Sequence, residues 1–424
     1  MNVASCGRRY FILIMMLCLP GKIHSMIFDS RYFPWLDHMY NGSDHRHAHL
    51  ITDGFLILGG DAYRMEARAI EEEQIISIPE LWGNLKLANV ANSLTTIGKS
   101  NPIPTDWRWL SDMNAAMTSS LDGQGILIAG FVPIKSFFGI GASTLVMHLD
   151  SVVRVLPAAD TTKKLYLTIP GNMALFTQMM HSFYQELNIS SVISQETGAG
   201  DSVVYAALYG IKEYEYKMKK IDGCVLLGCI VPTGVKYNPY NLASVPFGGN
   251  GLWGLFLAPT VEFELKDDLK FGLQARVTKR LSRSIKSRIP VNNEQPLFSP
   301  YVGSVYEKSG TSFTGTAYLA LEEVRGGFGV QLQYTITYHE QDSFSAKAIN
   351  GPLTKITPDF SNMECHSSFL SEYLTLRVFY DVAHDRDWKH RPLITACWDI
   401  PRNYIGGKAF AKTNRVSLGC TVNF

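Results

Sequence analysis

Along Lys412–Phe424 apolar and polar side chains alternate one by one. Val416, Leu418, Cys420, Val422 and Phe424 fall on one face of an extended chain, and Arg415, Ser417, Gly419, Thr421 and Asn423 on the other. A strand sends successive side chains to opposite faces, so this segment has one oily and one polar face. The same two-residue period recurs upstream. Phe271, Leu273, Ala275 and Val277 oppose Gln274, Arg276 and Thr278. Val330, Leu332, Tyr334, Ile336 and Tyr338 oppose Gln331, Gln333, Thr335 and Thr337. Leu374, Leu376, Val378, Tyr380 and Val382 oppose Thr375, Arg377, Phe379 and Asp381. Strand-like blocks are predicted at 119–133, 137–155, 201–217, 219–232, 249–266, 269–286, 312–325, 327–342, 367–383, 391–400 and 412–424, with a weaker one at 51–60. That makes twelve strands, or fourteen if a further pair lies within 61–118.

The connections sort by length. Counted back from Phe424, the linkers 384–390, 325–327, 266–268, 217–219 and 134–136 are brief, and those between them, 401–411, 343–366, 287–311, 233–248 and 156–200, are mostly longer. Short turns on one rim and long loops on the other is the layout of transmembrane barrels, and a soluble sandwich has no reason to sort its loops. The predicted fold is therefore all-β, a transmembrane antiparallel barrel of about twelve (12–14) strands. The final strand, ending on Phe424, resembles the closing strand of bacterial outer-membrane β-barrels, whose C-terminal aromatic belongs to the assembly signal. That resemblance implies an assembly role for Phe424, the barrel-assembly machinery as a partner of the last strand, and outer-membrane lipid as its surroundings.

The first 118 residues look different. Arg8 and Arg9, the apolar run Tyr10–Pro20 and Ile23-His24-Ser25 have the three parts of a secretory signal, with cleavage expected near Ser25. The apolar run is shorter than the roughly 20 residues a transmembrane helix needs. After it, 26–118 is expected to form an N-terminal plug or cap containing the 51–60 strand. Leu87, Val90, Ala91, Leu94 and Ile97 recur at helical spacing before Gly98, predicting a helix over 79–97. Its apolar stripe must pack either on the lumen wall or as a cap from the periplasmic side. His45, His47 and His49 could share one face of an extended chain, but nothing in the sequence completes a metal site, and a polar loop is expected.

Composition narrows the partners. Residues 1–25 carry Arg8, Arg9 and Lys22 and no acids, so the remaining chain has 36 basic against 38 acidic residues, net −2. Such a balance argues against nucleic-acid binding. Of the seven cysteines, Cys224, Cys229, Cys365, Cys397 and Cys420 follow residue 25. The number is odd and the spacing fits no metal site, so they are expected to be small apolar side chains.

No serine stands in a nucleophile-elbow pattern, and the histidines are scattered through the sequence, so no enzyme is expected, nor any cofactor or metal. The inward faces of the predicted strands carry Glu262, Glu264, Arg276, Arg280, Glu322, Arg377, Asp381 and Arg415, a lumen lining of mixed sign. A second candidate set lies in the loop helix 172–189, where Phe176, Met179, Met180 and Phe183 share an apolar side suited to a greasy ligand or gate, or to packing on the barrel mouth. The segment Val231–Gly251, rich in turn formers and aromatics, reads as a structured loop. A plug-like N-terminal region, an apolar loop helix and such a loop are similar in arrangement to the long-chain fatty-acid transporter family. That resemblance implies entry of small hydrophobic solutes from outside. No stretch matches that family's hatch residue by residue, so it carries over no binding residues. The expected function is passive or gated passage of small solutes across the outer membrane of a Gram-negative-type bacterium. A structural or adhesive surface protein with a closed lumen is the alternative, and a secreted β-rich protein the third.

Overall fold

The computed structural model describes residues 30–34, 47–64, 74–103, 114–157, 172–214, 218–266, 268–346, 357–384, 388 and 390–424. The signal segment 1–25, its cleavage near Ser25, and His45 lie outside the described residues.

Twelve strands form a closed antiparallel barrel. They are β1 (His49–Gly59), β2 (Asn114–Lys135), β3 (Phe138–Pro157), β4 (Ser202–Glu213), β5 (Lys220–Val231), β6 (Gly254–Lys266), β7 (Leu269–Arg280), β8 (Thr311–Arg325), β9 (Phe328–His339), β10 (Phe369–Asp381), β11 (Pro392–Pro401) and β12 (Asn414–Asn423). Each pairs with the next, and β12 returns to β1 with Phe55 opposite Ser417. Closure pairs the backbone all the way round, the condition for a sheet to lie in lipid. One rim carries the turns and both ends of the strand path. There Gly326 and Gly327, at φ +53° and +83°, turn β8 into β9, a conformation glycine adopts without a Cβ clash. The other rim carries six long connections.

The weaker strand expected at 51–60 is the first of the twelve, His49–Gly59, a full member between β12 and β2. Its period was hard to read because Ile51, Phe55 and Ile57 face in while Leu56 and Leu58 face out, so both faces are apolar. The described residues between β1 and β2, 60–64 and 74–103, lie at the loop-bearing rim. The helix expected over 79–97 is a 3-10 turn, Ile78–Trp82, followed by α1 (Leu87–Thr96), with Gly83 at φ +102° between them.

Burial follows the strand period. Leu56, Leu227, Leu255, Leu273, Leu319, Leu332 and Leu418 are exposed on the outer face, Leu418 at 65 %. The inner face has two halves. Strands β1–β5 turn in Phe55, Leu127, Phe131, Leu145, Met147, Val203, Tyr205 and Leu226, all within one buried cluster. Strands β7–β12 turn in Gln274, Thr278, Thr314, Thr316, Gln333, Thr335, Thr337, Asp399 and Ser417. Cross-strand hydroxyl pairs bond Thr314 to Thr337 and Thr316 to Thr335, each at 3.1 Å. The bore is mostly apolar along one wall, with Asp53 and Asp222 as buried carboxylates within it, and polar along the other.

β2 and β3 rise past the rim and carry the cap. A short strand, Ile193–Ala199, pairs with the upper part of β3, and the register slips at Gly200–Asp201 before β4 takes over. A bulge of this kind re-aims a side chain. On this wall sit α1 and α2 (Asn172–Glu186), which share one buried cluster with Leu242, Leu297 and Phe298. A three-stranded sheet of Arg283–Ile289, Tyr301–Lys308 and Ser343–Ala346 and the short α3 (Ser361–Cys365) complete the cap.

Candidate functional site

At the turn rim the bore opens into a polar cavity of about 260 Å³. Lys270, inward by the same parity as Gln274, reaches Glu322 Oε1 at 2.8 Å and Glu262 Oε1 at 3.6 Å. The Tyr318 hydroxyl donates to the second Glu262 oxygen at 2.6 Å. Glu262, Glu322, Arg377 and Asp381, expected to line the lumen, all border this cavity. Glu264, opposite Lys270 in register, lies just beyond at the rim. Buried charge of both signs held this close is mutually compensated. Lys270, unnamed by the sequence reading, is the cation at its centre, and its parity with Arg276 was the available signal.

Further in, Arg276 is 2 % exposed and lies over the Phe256 ring at 3.8 Å from its centroid. Arg415 donates through Nε and Nη2 to Asp399 Oδ2, each at 2.6 Å, and Thr375 Oγ1 donates to the other oxygen. Asp399 was another partner the sequence did not single out, because β11 alternates weakly.

Arg280 stands at the loop end. Its Nη1 donates to Asp201 at 2.9 Å and to the carbonyl of Leu252 at 3.1 Å. The bulge has aimed Asp201 inward, where it also accepts the N–H groups of Gly249 and Gly234. A Cβ at Gly248 would overlap the Asp201 carboxylate, and one at Gly249 the Arg280 guanidinium. Two glycines let the 232–253 loop close round the pair.

The cap is knitted by buried polar side chains. Arg288 donates to the carbonyls of Pro239, Leu187 and Ser299, joining three loops. Burial pulls its pKa below the usual guanidinium value. Glu294 accepts from Ser93 of α1 at 2.7 Å, and Gln295 donates to the carbonyls of Pro79 and Gly83. Under this cap Ser30–Pro34 enters the mouth. Ala411 N–H donates to the Arg31 carbonyl and Thr413 Oγ1 to that of Tyr32. The Arg31 guanidinium donates to the carbonyls of His366 and Ser367 and lies over Trp82 and Phe369.

Phe176, Met179, Met180 and Phe183 are buried in the α1–α2 cluster, and none borders either cavity. Phe424, at the turn rim, donates its N–H to the carbonyl of Ala48 and packs edge-on to His390. One constellation is invisible in sequence: Ser312 Oγ lies 2.8 Å from His339 Nδ1, and His339 Nε2 lies 2.9 Å from Asp342 Oδ1. Ser312 is buried and borders neither cavity, so the line orients the histidine and offers no accessible nucleophile. Among the described residues no group of three His, Cys, Asp or Glu could hold a metal ion.

The fold is a closed twelve-stranded antiparallel β-barrel with an apolar outer face. No family model matches the chain, and no curated protein does. Solved structures resemble it loosely. An outer membrane channel from Pseudomonas putida F1 is 11 % identical, with 89 % of this chain and 96 % of that one covered at a TM-score of 0.46. The transport unit of the autotransporter AIDA-I from Escherichia coli is 5 % identical, covering 91 % and 92 % at 0.35. The translocator domain of the autotransporter NalP from Neisseria meningitidis is 9 % identical, covering 92 % and 91 % at 0.31. Overlaps this loose assign neither family nor activity.

Proposed function

We propose that the chain is an outer-membrane channel giving gated passage to small solutes with apolar bodies. The observation that carries this reading is the two-sided bore, with a mostly apolar wall along β1–β5, a hydroxyl- and amide-rich wall along β7–β12, and a cavity at each end. A lumen built only to be filled has no use for such a division. A path for an apolar molecule bearing one polar group does, since each side of the solute then meets its like. In this reading Glu262, Glu264, Glu322, Arg377 and Asp381 line the inner exit, while Arg276, Arg280 and Arg415 hold the polar wall. Paired charges there give weak ion selectivity. Ser30–Pro34 and the cap form the closure at the outer end. The α2 side chains Phe176, Met179, Met180 and Phe183 hinge the cap to the β2–β3 wall. Arrangement alone keeps this reading close to the long-chain fatty-acid transporters.

The alternative is a surface protein with a permanently closed lumen, favoured by the near-total burial of the inward side chains on β1–β5. Conductance in a planar bilayer separates the two. Discrete openings that become longer in Asp201→Asn, where the mouth clamp is weakened, support passage. Flat traces from correctly folded wild type and variant would establish the closed barrel.

A further inference from the structure

Beneath the cap lies a cavity of about 220 Å³, bordered mainly by apolar side chains including Tyr32, Trp82, Tyr237, Leu242, Phe344 and Phe369. A cavity of about 150 Å³ holds a benzene-sized molecule, so this one accommodates a single ring with a short arm. Five charged side chains border it or stand beside it, and four have committed partners. Arg31 holds two carbonyls and Arg280 holds Asp201. Asp342 accepts from His339 and from Gly310 N–H. Arg283, opposite Glu307 in register, donates to the carbonyl of Gly251. The fifth is Glu307. It faces the same side as Ile285 and Ser287, which also border the cavity, and among the described residues its carboxyl has no hydrogen bond or ion pair.

We propose that this cavity binds a small ring-bearing amine, its ring against the aromatic side chains and its ammonium received by Glu307. The inference names a solute class for the passage suggested above and rests on that reading only in placing the cavity on the path. The empty site's charge balance points the same way. With Arg31 near Asp342, Arg280 paired to Asp201 and Arg283 turned to the Gly251 carbonyl, Glu307 is the one carboxylate at the cavity without an ion pair among the described residues. Burial, reinforced by the Asp342 carboxylate and opposed by Arg280, raises its pKa to about 8. A neutral ring leaves that carboxyl protonated. An ammonium, with a pKa near 10 like that of lysine, takes the ionised form and displaces the proton.

The experiment is titration calorimetry of residues 26–424, refolded in detergent, with 2-phenylethylamine, 2-phenylethanol and phenylacetate at pH 7. The amine is expected to bind at least tenfold more tightly than the alcohol, and phenylacetate more weakly still. Runs in buffers of different ionisation enthalpy should show about 0.9 proton released per amine bound, the protonated fraction of a group with pKa about 8 at pH 7. Glu307→Gln should abolish the proton release and cost the amine at least tenfold, leaving the alcohol unchanged. Equal affinity for amine and alcohol, tighter binding of phenylacetate, or no binding at all would overturn the inference. Proton release in the wild type decides even if Glu307→Gln fails to fold, since its absence would remove Glu307 from the site. Channel openings without amine binding would sink this inference and leave passage standing. Amine binding to a barrel that never conducts would do the reverse.

Discussion

Leu418→Arg tests which way the barrel faces. Leu418 sits near the middle of β12, four residues from Asn414 and five from Asn423, and is 65 % exposed on the outer face. Its neighbours in register are Ala396 on β11 and Gly54 on β1, neither of which offers a polar side chain to a guanidinium. At about 3.3 Å per residue and a tilt of roughly 40°, the site lies on the order of 10–13 Å from either strand end, beyond easy reach of the interfaces. A cation there costs about 2–4 kcal/mol. That is roughly a 30- to 800-fold drop in the folded population. The control, Thr421→Arg, lies on the same strand but faces the polar cavity that Asp381 and Glu322 also border, so it should cost less than about 1 kcal/mol. Urea unfolding in lipid vesicles, followed by tryptophan fluorescence, reads both. Equal loss in the two variants, or the larger loss in Thr421→Arg, would refute the inside–outside assignment.

Three further outcomes are expected. Asp201→Asn leaves Arg280 buried without its counter-charge, a change worth about 3–5 kcal/mol for buried pairs. It should release the 232–253 loop to limited proteolysis while the barrel persists, and Gly249→Ala, whose methyl would overlap Arg280, should do the same. Lys270→Met leaves Glu262 and Glu322 without their shared cation, so reversal potentials should move toward cation preference; an unchanged value would remove the cavity from the path. Glu307 has its pKa raised from 4.5 to about 8 by burial, so the folded cap holds a proton that the unfolded chain has released. Cap stability should therefore fall as pH rises from about 4.5 through 8, and Glu307→Gln should flatten the slope. A slope that persists in the variant would assign the titration to another group.

Much of the wall was legible because β7, β9, β10 and β12 keep their polar side chains on the lumen face and their apolar ones toward lipid. Period two and loop parity then fixed strand order without any motif. β1 was harder, since the apolar half of the bore makes both its faces oily. Charges on the inner face, such as Arg276 and Arg415, could be read from parity alone, but their partners could not. Asp399 and Lys270 depend on which strands adjoin, and Asp201 on a bulge that no local pattern announces. The Ser312–His339–Asp342 line needed the register of the β8–β9 hairpin, and the Glu307 cavity needed the folded cap, which brings together residues separated by whole strands and loops.

The most direct test of the account is gel mobility of residues 26–424, refolded in detergent, run cold and after boiling. A closed twelve-stranded barrel resists SDS when cold and should migrate differently once boiled. Unchanged mobility, with the protein soluble in the absence of detergent, would contradict the membrane barrel and everything built on its two faces.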